Sequence, residues 1–177
     1  MSALLLVVSA FLALPCHAAE RQFWGPTVDG LRLSVTLGIS TERRPIQPEQ
    51  ALQITIGNVG PVERRILLGG ITGDGPLYAT LHFAVISPEG KRYKMDYTGG
   101  GVVGGYVSPL IANIAPGNDY KIQLSLTKFW IMGGPKETLK PLIDAGWAVE
   151  ASIEVTPEQA GSPSRWTGKL VSGAMRY

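Results

Sequence analysis

Apolar and polar residues alternate along several short stretches of this chain. Over residues 146–155, Trp147, Val149, Ala151, Ile153 and Val155 fall on one side of an extended backbone. Ala148, Glu150, Ser152 and Glu154 fall on the other. Side chains of a strand alternate between faces, so the stretch predicts a strand with one face in a core and one in water. Residues 31–39 repeat the pattern, with Leu31, Leu33, Val35, Leu37 and Ile39 set against Arg32, Ser34 and Thr36. Further strands are predicted at 51–58 (Leu52, Ile54 and Ile56 inward), 62–68, 77–87 (Leu77, Ala79, Leu81, Phe83 and Val85 inward), 91–97 (Tyr93, Met95 and Tyr97 inward), 119–127 (Tyr120, Ile122, Leu124 and Leu126 inward) and 166–175.

Glycine and proline punctuate these runs. Pro88-Glu89-Gly90 predicts the turn of a hairpin, and Asn58-Val59-Gly60-Pro61 and Ala115-Pro116-Gly117-Asn118 predict turns between strands. Residues 40–50, 69–76, 98–108, 129–140 and 156–164 read as loops, with one helical turn near Glu137. Eight or nine short strands with no amphipathic helix longer than a turn predict an all-β antiparallel sandwich or barrel.

The first 19 residues differ from the rest. They carry no charged side chain; a short apolar run ends at Pro15 and small residues follow. Residues 3–14 are too few to cross a bilayer, which needs roughly 20. The pattern is that of a secretory leader cleaved near Ala18 or Ala19, although no Lys or Arg stands near Met1. The alternative is a lipoprotein acylated at Cys16, against which the preceding Pro15 stands. The expected organisation is a signal peptide over 1–19 and one domain over 20–177, secreted or periplasmic. Cys16 is the only cysteine, so the mature chain has no disulfide and no thiol nucleophile. A domain of this length can bury enough surface to fold without one. The net charge is +2, with 16 basic and 14 acidic residues well mixed. No basic stripe for nucleic acid and no polybasic membrane patch is present.

Four motifs recur in a definite order: Ile54-Thr55-Ile56-Gly57-Asn58; Ser87-Pro88-Glu89-Gly90-Lys91 at the end of a strand; Ile114-Ala115-Pro116-Gly117-Asn118-Asp119-Tyr120; and Asp144-Ala145-Gly146-Trp147-Ala148-Val149. Over roughly 51–155 the chain thereby resembles the Ig-like domains of the intracellular proteinase inhibitor family and related bacterial exported domains. The resemblance implies an Ig-like sandwich and, as a function, inhibition of a proteinase. The motifs are ones that any Ig-like sandwich accommodates, and no functional residue carries over from the family.

Motifs of catalysis are scarce. Gly99-x-Gly101-x-x-Gly104 matches the dinucleotide fingerprint in letters, but Tyr106-Val107-Ser108-Pro109 follows where a helix must begin to hold pyrophosphate. Beyond the leader His82 is the only histidine, so a Ser-His-Asp triad would have to use it, and no Gly-x-Ser-x-Gly elbow is present. Glu150 and Glu154 share a strand face about 13 Å apart. A glycosidase pair needs roughly 5 Å, or at most about 9.5 Å. Asp74, Asp96 and Asp144 stand alone, outside any calcium-loop spacing. No enzyme activity, cofactor or metal is expected.

The run Phe129-Trp130-Ile131-Met132 is different. Four consecutive large apolar residues cannot all point inward from one strand, so one or two are expected outside or over an open end of the sandwich. Exposed aromatic and methionine clusters mark contact surfaces. Phe129, Trp130 and Met132 are therefore the candidate contact residues of a non-catalytic binding module, with a protein partner or a glycan as ligand. The alternatives are a proteinase inhibitor presenting residues 69–76 or 99–106, and a glycan-binding or envelope-associated accessory domain.

Overall fold

The computed structural model describes residues 22–39, 50–73, 75–98 and 107–176. The leader with Cys16, and the glycine-rich 99–106 segment, lie outside these residues. In chain order the strands are β1 Phe23–Trp24, β2 Leu31–Ile39, β3 Gln50–Asn58, β4 Arg64–Thr72, β5 Gly75–Leu77, β6 Leu81–Ile86, β7 Arg92–Tyr97, β8 Ser108–Ile114, β9 Asp119–Ser125, β10 Phe129–Ile131, β11 Ala148–Val155 and β12 Gly168–Val171. Two short helices, α1 Leu139–Asp144 and α2 Pro157–Ala160, lie either side of β11.

The protein is an all-β sandwich. Three antiparallel sheets run in the orders β1-β2-β3-β9, β10-β7-β6-β11-β12 and β5-β4-β8. The series β2-β3-β9 facing β7-β6-β11-β12 has the immunoglobulin order A-B-E over C′-C-F-G. The departure lies between the second and third strands of that scheme. There β4 and β5 are inserted, and β8, in the place of strand D, pairs with β4 instead of β9.

One core joins the layers. Leu33, Val35, Ile54 and Ile56 of the first sheet meet Phe83, Val85, Val149, Ala151 and Ile153 of the second, with Ile66, Leu68 and Ile114 of the third. β2 packs against β11 and β12. The alternation read at 146–155 holds from Val149 to Val155, while Trp147 precedes the strand and is half-buried.

Several predicted boundaries change, each for a tertiary reason. The 77–87 strand is two pieces, because the chain crosses between sheets at Thr80. The Thr80 hydroxyl donates to Leu67 O at 2.9 Å, and Thr80 O accepts from Glu154 N at 3.0 Å. The 69–76 loop is a hairpin: β4 runs on to Thr72, and Gly70, Ile71 and Thr72 pair with Leu77, Pro76 and Gly75. β8 falls partly in a predicted loop; its Pro109 is tolerated because β8 is a sheet edge, where a missing N–H breaks no ladder. Leu139, Leu142 and Ile143 turn part of the 129–140 loop region and its flank into α1 by burying one face. The count is twelve strands among the described residues, not eight or nine. The outer side of β2 and β3 is also drier than expected: Ser34, Thr36, Gln53 and Thr55 are buried. Trp24, opposite Ser34 on β1, contributes by reaching across to Gly57, where a Cβ would sit 3.1 Å from its ring.

β1 stitches the two main sheets. Gly25 N donates to Leu33 O at 2.8 Å, while Phe23 O accepts from Gly173 N at 2.9 Å, beyond β12. A Cβ built on Gly25 would overlap the Val171 carbonyl oxygen, so only glycine permits this approach.

Candidate functional site

The apolar run 129–132 lies where the chain passes from the first sheet to the second. β9 ends at Ser125, and a 3₁₀ turn, Leu126–Lys128, redirects the backbone. The Ser125 hydroxyl accepts from Thr127 N at 3.4 Å, capping that turn. The chain then extends as β10 along β7, with Phe129 opposite Tyr97, Trp130 opposite Asp96 and Ile131 opposite Met95. Bonds from Thr98 N to Lys128 O (2.8 Å) and from Met132 N to Lys94 O (2.9 Å) hold its two ends.

The strand period decides which of the four side chains faces out. Phe129 (8% exposed) and Ile131 (6%) are buried, whereas Trp130 (61%) and Met132 (46%) are exposed. Of the three candidate contact residues, then, Phe129 is a core residue. Its ring meets Phe83 edge-on at 5.0 Å between centroids and Tyr97 at 5.2 Å. Among the described residues β10 is the last strand of its sheet, and no strand of theirs covers its far side. A cleft of about 410 Å³ lies between β10 and residues 133–138. Behind it, Trp147 rests on Tyr93 at 5.8 Å and closes the inner side of the sheet.

Trp130 belongs to the outer face of the five-stranded sheet. The rest of that face mixes the apolar Ala84, Ile86, Ala148 and Val171 with ion-paired charges. Arg92 Nη2 donates to Glu150 Oε1 at 2.6 Å, Lys94 Nζ lies 3.3 Å from Asp96 Oδ1, and Lys169 Nζ lies 3.0 Å from Glu154 Oε2. The hydrogen bond to Glu150 holds the Arg92 guanidinium above its ordinary pKa. Glu150 and Glu154 thus each serve a different cation.

His82 is exposed on the same face, directly opposite Ser152. The β6–β7 pairing ends at Phe83 with Met95, and just past it His82 and Asp96 both line a cleft of about 220 Å³ with Tyr78 and Tyr97. The residue types of a hydrolytic triad are therefore neighbours here, which the sequence alone did not place together. Among the described residues no hydrogen bond is found between His82 and Ser152 or Asp96. No three His, Cys, Asp or Glu side chains among the described residues converge as metal ligands. The dinucleotide-like glycines lie outside the described residues.

Comparison with protein-family models, with curated proteins and with solved structures finds no match for this chain.

Proposed function

We propose that this protein is a non-catalytic, exported binding module whose contact surface centres on Trp130 and Met132. One observation carries the reading: an indole 61% exposed on an open edge strand, beside a second exposed apolar side chain. Exposing a tryptophan forgoes roughly 2–3 kcal/mol of burial, and β10 would have kept its pairing with a polar residue there. Export rests on the apolar leader pattern of residues 1–19.

The test is affinity capture by the leaderless domain from an extract of its native envelope, with Trp130→Ala in parallel. A partner retained by the wild type and lost by the variant supports the reading. Equal retention by both forms moves the contact surface elsewhere and overturns the role of Trp130.

A proteinase inhibitor is the second reading. The observation in its favour is the β4–β5 hairpin within residues 69–76, which displays Ile71 at 47% exposure. Inhibition of at least one member of a proteinase panel, lost in Ile71→Asp, is its expected signature. Full proteinase activity across the panel rejects it.

A further inference from the structure

We infer that the ligand of the Trp130 surface is an uncharged glycan chain lying across the strands, with a sugar ring on the indole and hydroxyls bonded by Asp96, His82 and Ser152. The inference rests on the reading that Trp130 is a contact residue, and adds the class of ligand and the direction in which it lies.

The register supplies the geometry. Trp130 is opposite Asp96, Ser152 is opposite His82, and Asp96 and His82 line one cleft just past the last β6–β7 pair. These four positions form one row across β10, β7, β6 and β11. Paired strands lie about 4.8 Å apart, and β6 and β7 are past their last pair here, so the row is about 14 Å long or longer, the length of a few linked sugar rings. All four side chains are on the outer face, and none of the four is fully buried.

The chemistry of the row matches a sugar. A pyranose offers C–H groups on its flat face and hydroxyls around its rim. An exposed indole suits the first, and a carboxylate, an imidazole and a hydroxyl in line suit the second. Between Asp96 and His82 the cleft of about 220 Å³, flanked by Tyr78 and Tyr97, has room for a ring substituent. The Lys94–Asp96 contact is exposed and long, so it holds the carboxylate weakly and leaves lone pairs for a ligand.

Charge and area narrow the class. The three cations, Arg92, Lys94 and Lys169, each face a carboxylate of the same sheet face. Little positive field remains to attract a phosphate, a sulfate or a polyanion. A protein partner needs a contiguous apolar core to its interface, yet Asp96 and Lys94 on β7 separate Trp130 and Met132 from the next apolar positions of this face, Ala84 and Ile86 on β6.

The experiment is binding of the leaderless domain to neutral polysaccharides and their soluble oligosaccharides, with sulfated and uronate polymers as charged comparators. His82→Ala, Ser152→Ala and Trp130→Ala are measured beside the wild type, each checked for an unchanged circular dichroism spectrum. Affinity for a neutral glycan should survive added salt, fall about tenfold or more in Trp130→Ala and fall several-fold in each of the other two. If no neutral glycan binds but Trp130→Ala still abolishes capture of a protein, the contact surface stands and the glycan inference fails. Salt-sensitive binding to charged polymers alone also overturns it. Glycan binding that is indifferent to Trp130→Ala overturns both readings.

Discussion

The side-chain amide of Asn58, at the end of β3, donates to the carbonyl oxygen of Ile114, at the end of β8, at 2.8 Å. The same amide donates to Val62 O at 2.8 Å, and its oxygen accepts from Gly60 N at 3.0 Å. One buried side chain thus shapes the turn after β3 and ties the first sheet to the third. Asn58→Ala would take the donor from two carbonyls, while the Gly60 N–H keeps its bond to Gly30 O at 3.1 Å. It should cost about 2–4 kcal/mol, read as a lower urea midpoint at an unchanged slope. Asn58→Asp should be no milder, because a carboxylate cannot donate to either carbonyl.

Gly25 sits against the Val171 carbonyl where β1 bridges the two main sheets. In Gly25→Ala the Cβ has a backbone atom, not a flexible side-chain end, in its way. β1 must therefore detach, and amide exchange at Gly25 and Gly173, whose N–H groups bond to Leu33 and Phe23, should accelerate together. In Gly90→Ala the added carbon meets open space, although φ is +87°. That variant should lose only about 1–2 kcal/mol and leave those two amides protected.

Phe129 and Trp130 are adjacent but should respond oppositely to truncation. Phe129→Ala removes a ring packed between Phe83 and Tyr97 and should destabilise the fold by about 3–5 kcal/mol. Trp130→Ala removes an exposed ring and should shift stability by no more than about 0.5 kcal/mol. Thermal unfolding of the two variants checks the in-and-out alternation of β10 directly.

In the Pro88-Glu89-Gly90 turn, hydrogen bonding from the Ser87 side chain, and next from the Glu89 backbone, holds the Glu89 carboxyl below its ordinary value of 4.5. A depressed carboxyl favours the folded state only where it is ionised. Its contribution is complete above pH 4.5 and is lost as pH falls through the lower folded-state value. An NMR titration should place the Glu89 midpoint below 4.5 in the wild type and move it upward in Ser87→Ala. An unchanged midpoint in Ser87→Ala would remove the hydroxyl as the cause.

The fold class was legible in the sequence because a strand with one wet face must alternate, and β2, β3, β7, β9 and β11 do so over six residues or more. β1 and β10 were not legible. Two or three residues hold no readable period, and their pairing with β2 and β7 depends on partners distant in sequence. The candidate site divides the same way. That one or two of Phe129, Trp130, Ile131 and Met132 must face outward followed from the sequence, but which of them did not.

By itself the sequence determined the all-β class, the inward faces of the long strands, the turn at Pro88–Gly90 and the apolar run at 129–132. These are consequences of local periodicity and of backbone preferences that each residue carries with it. Only the tertiary structure decided that the chain changes sheets at Thr80, that residues 69–76 pair as a hairpin, that Phe129 faces the core while Trp130 does not, and that Asp96, His82 and Ser152 share a row. Those outcomes depend on cross-strand register, which couples residues dozens of positions apart and which local pattern does not encode.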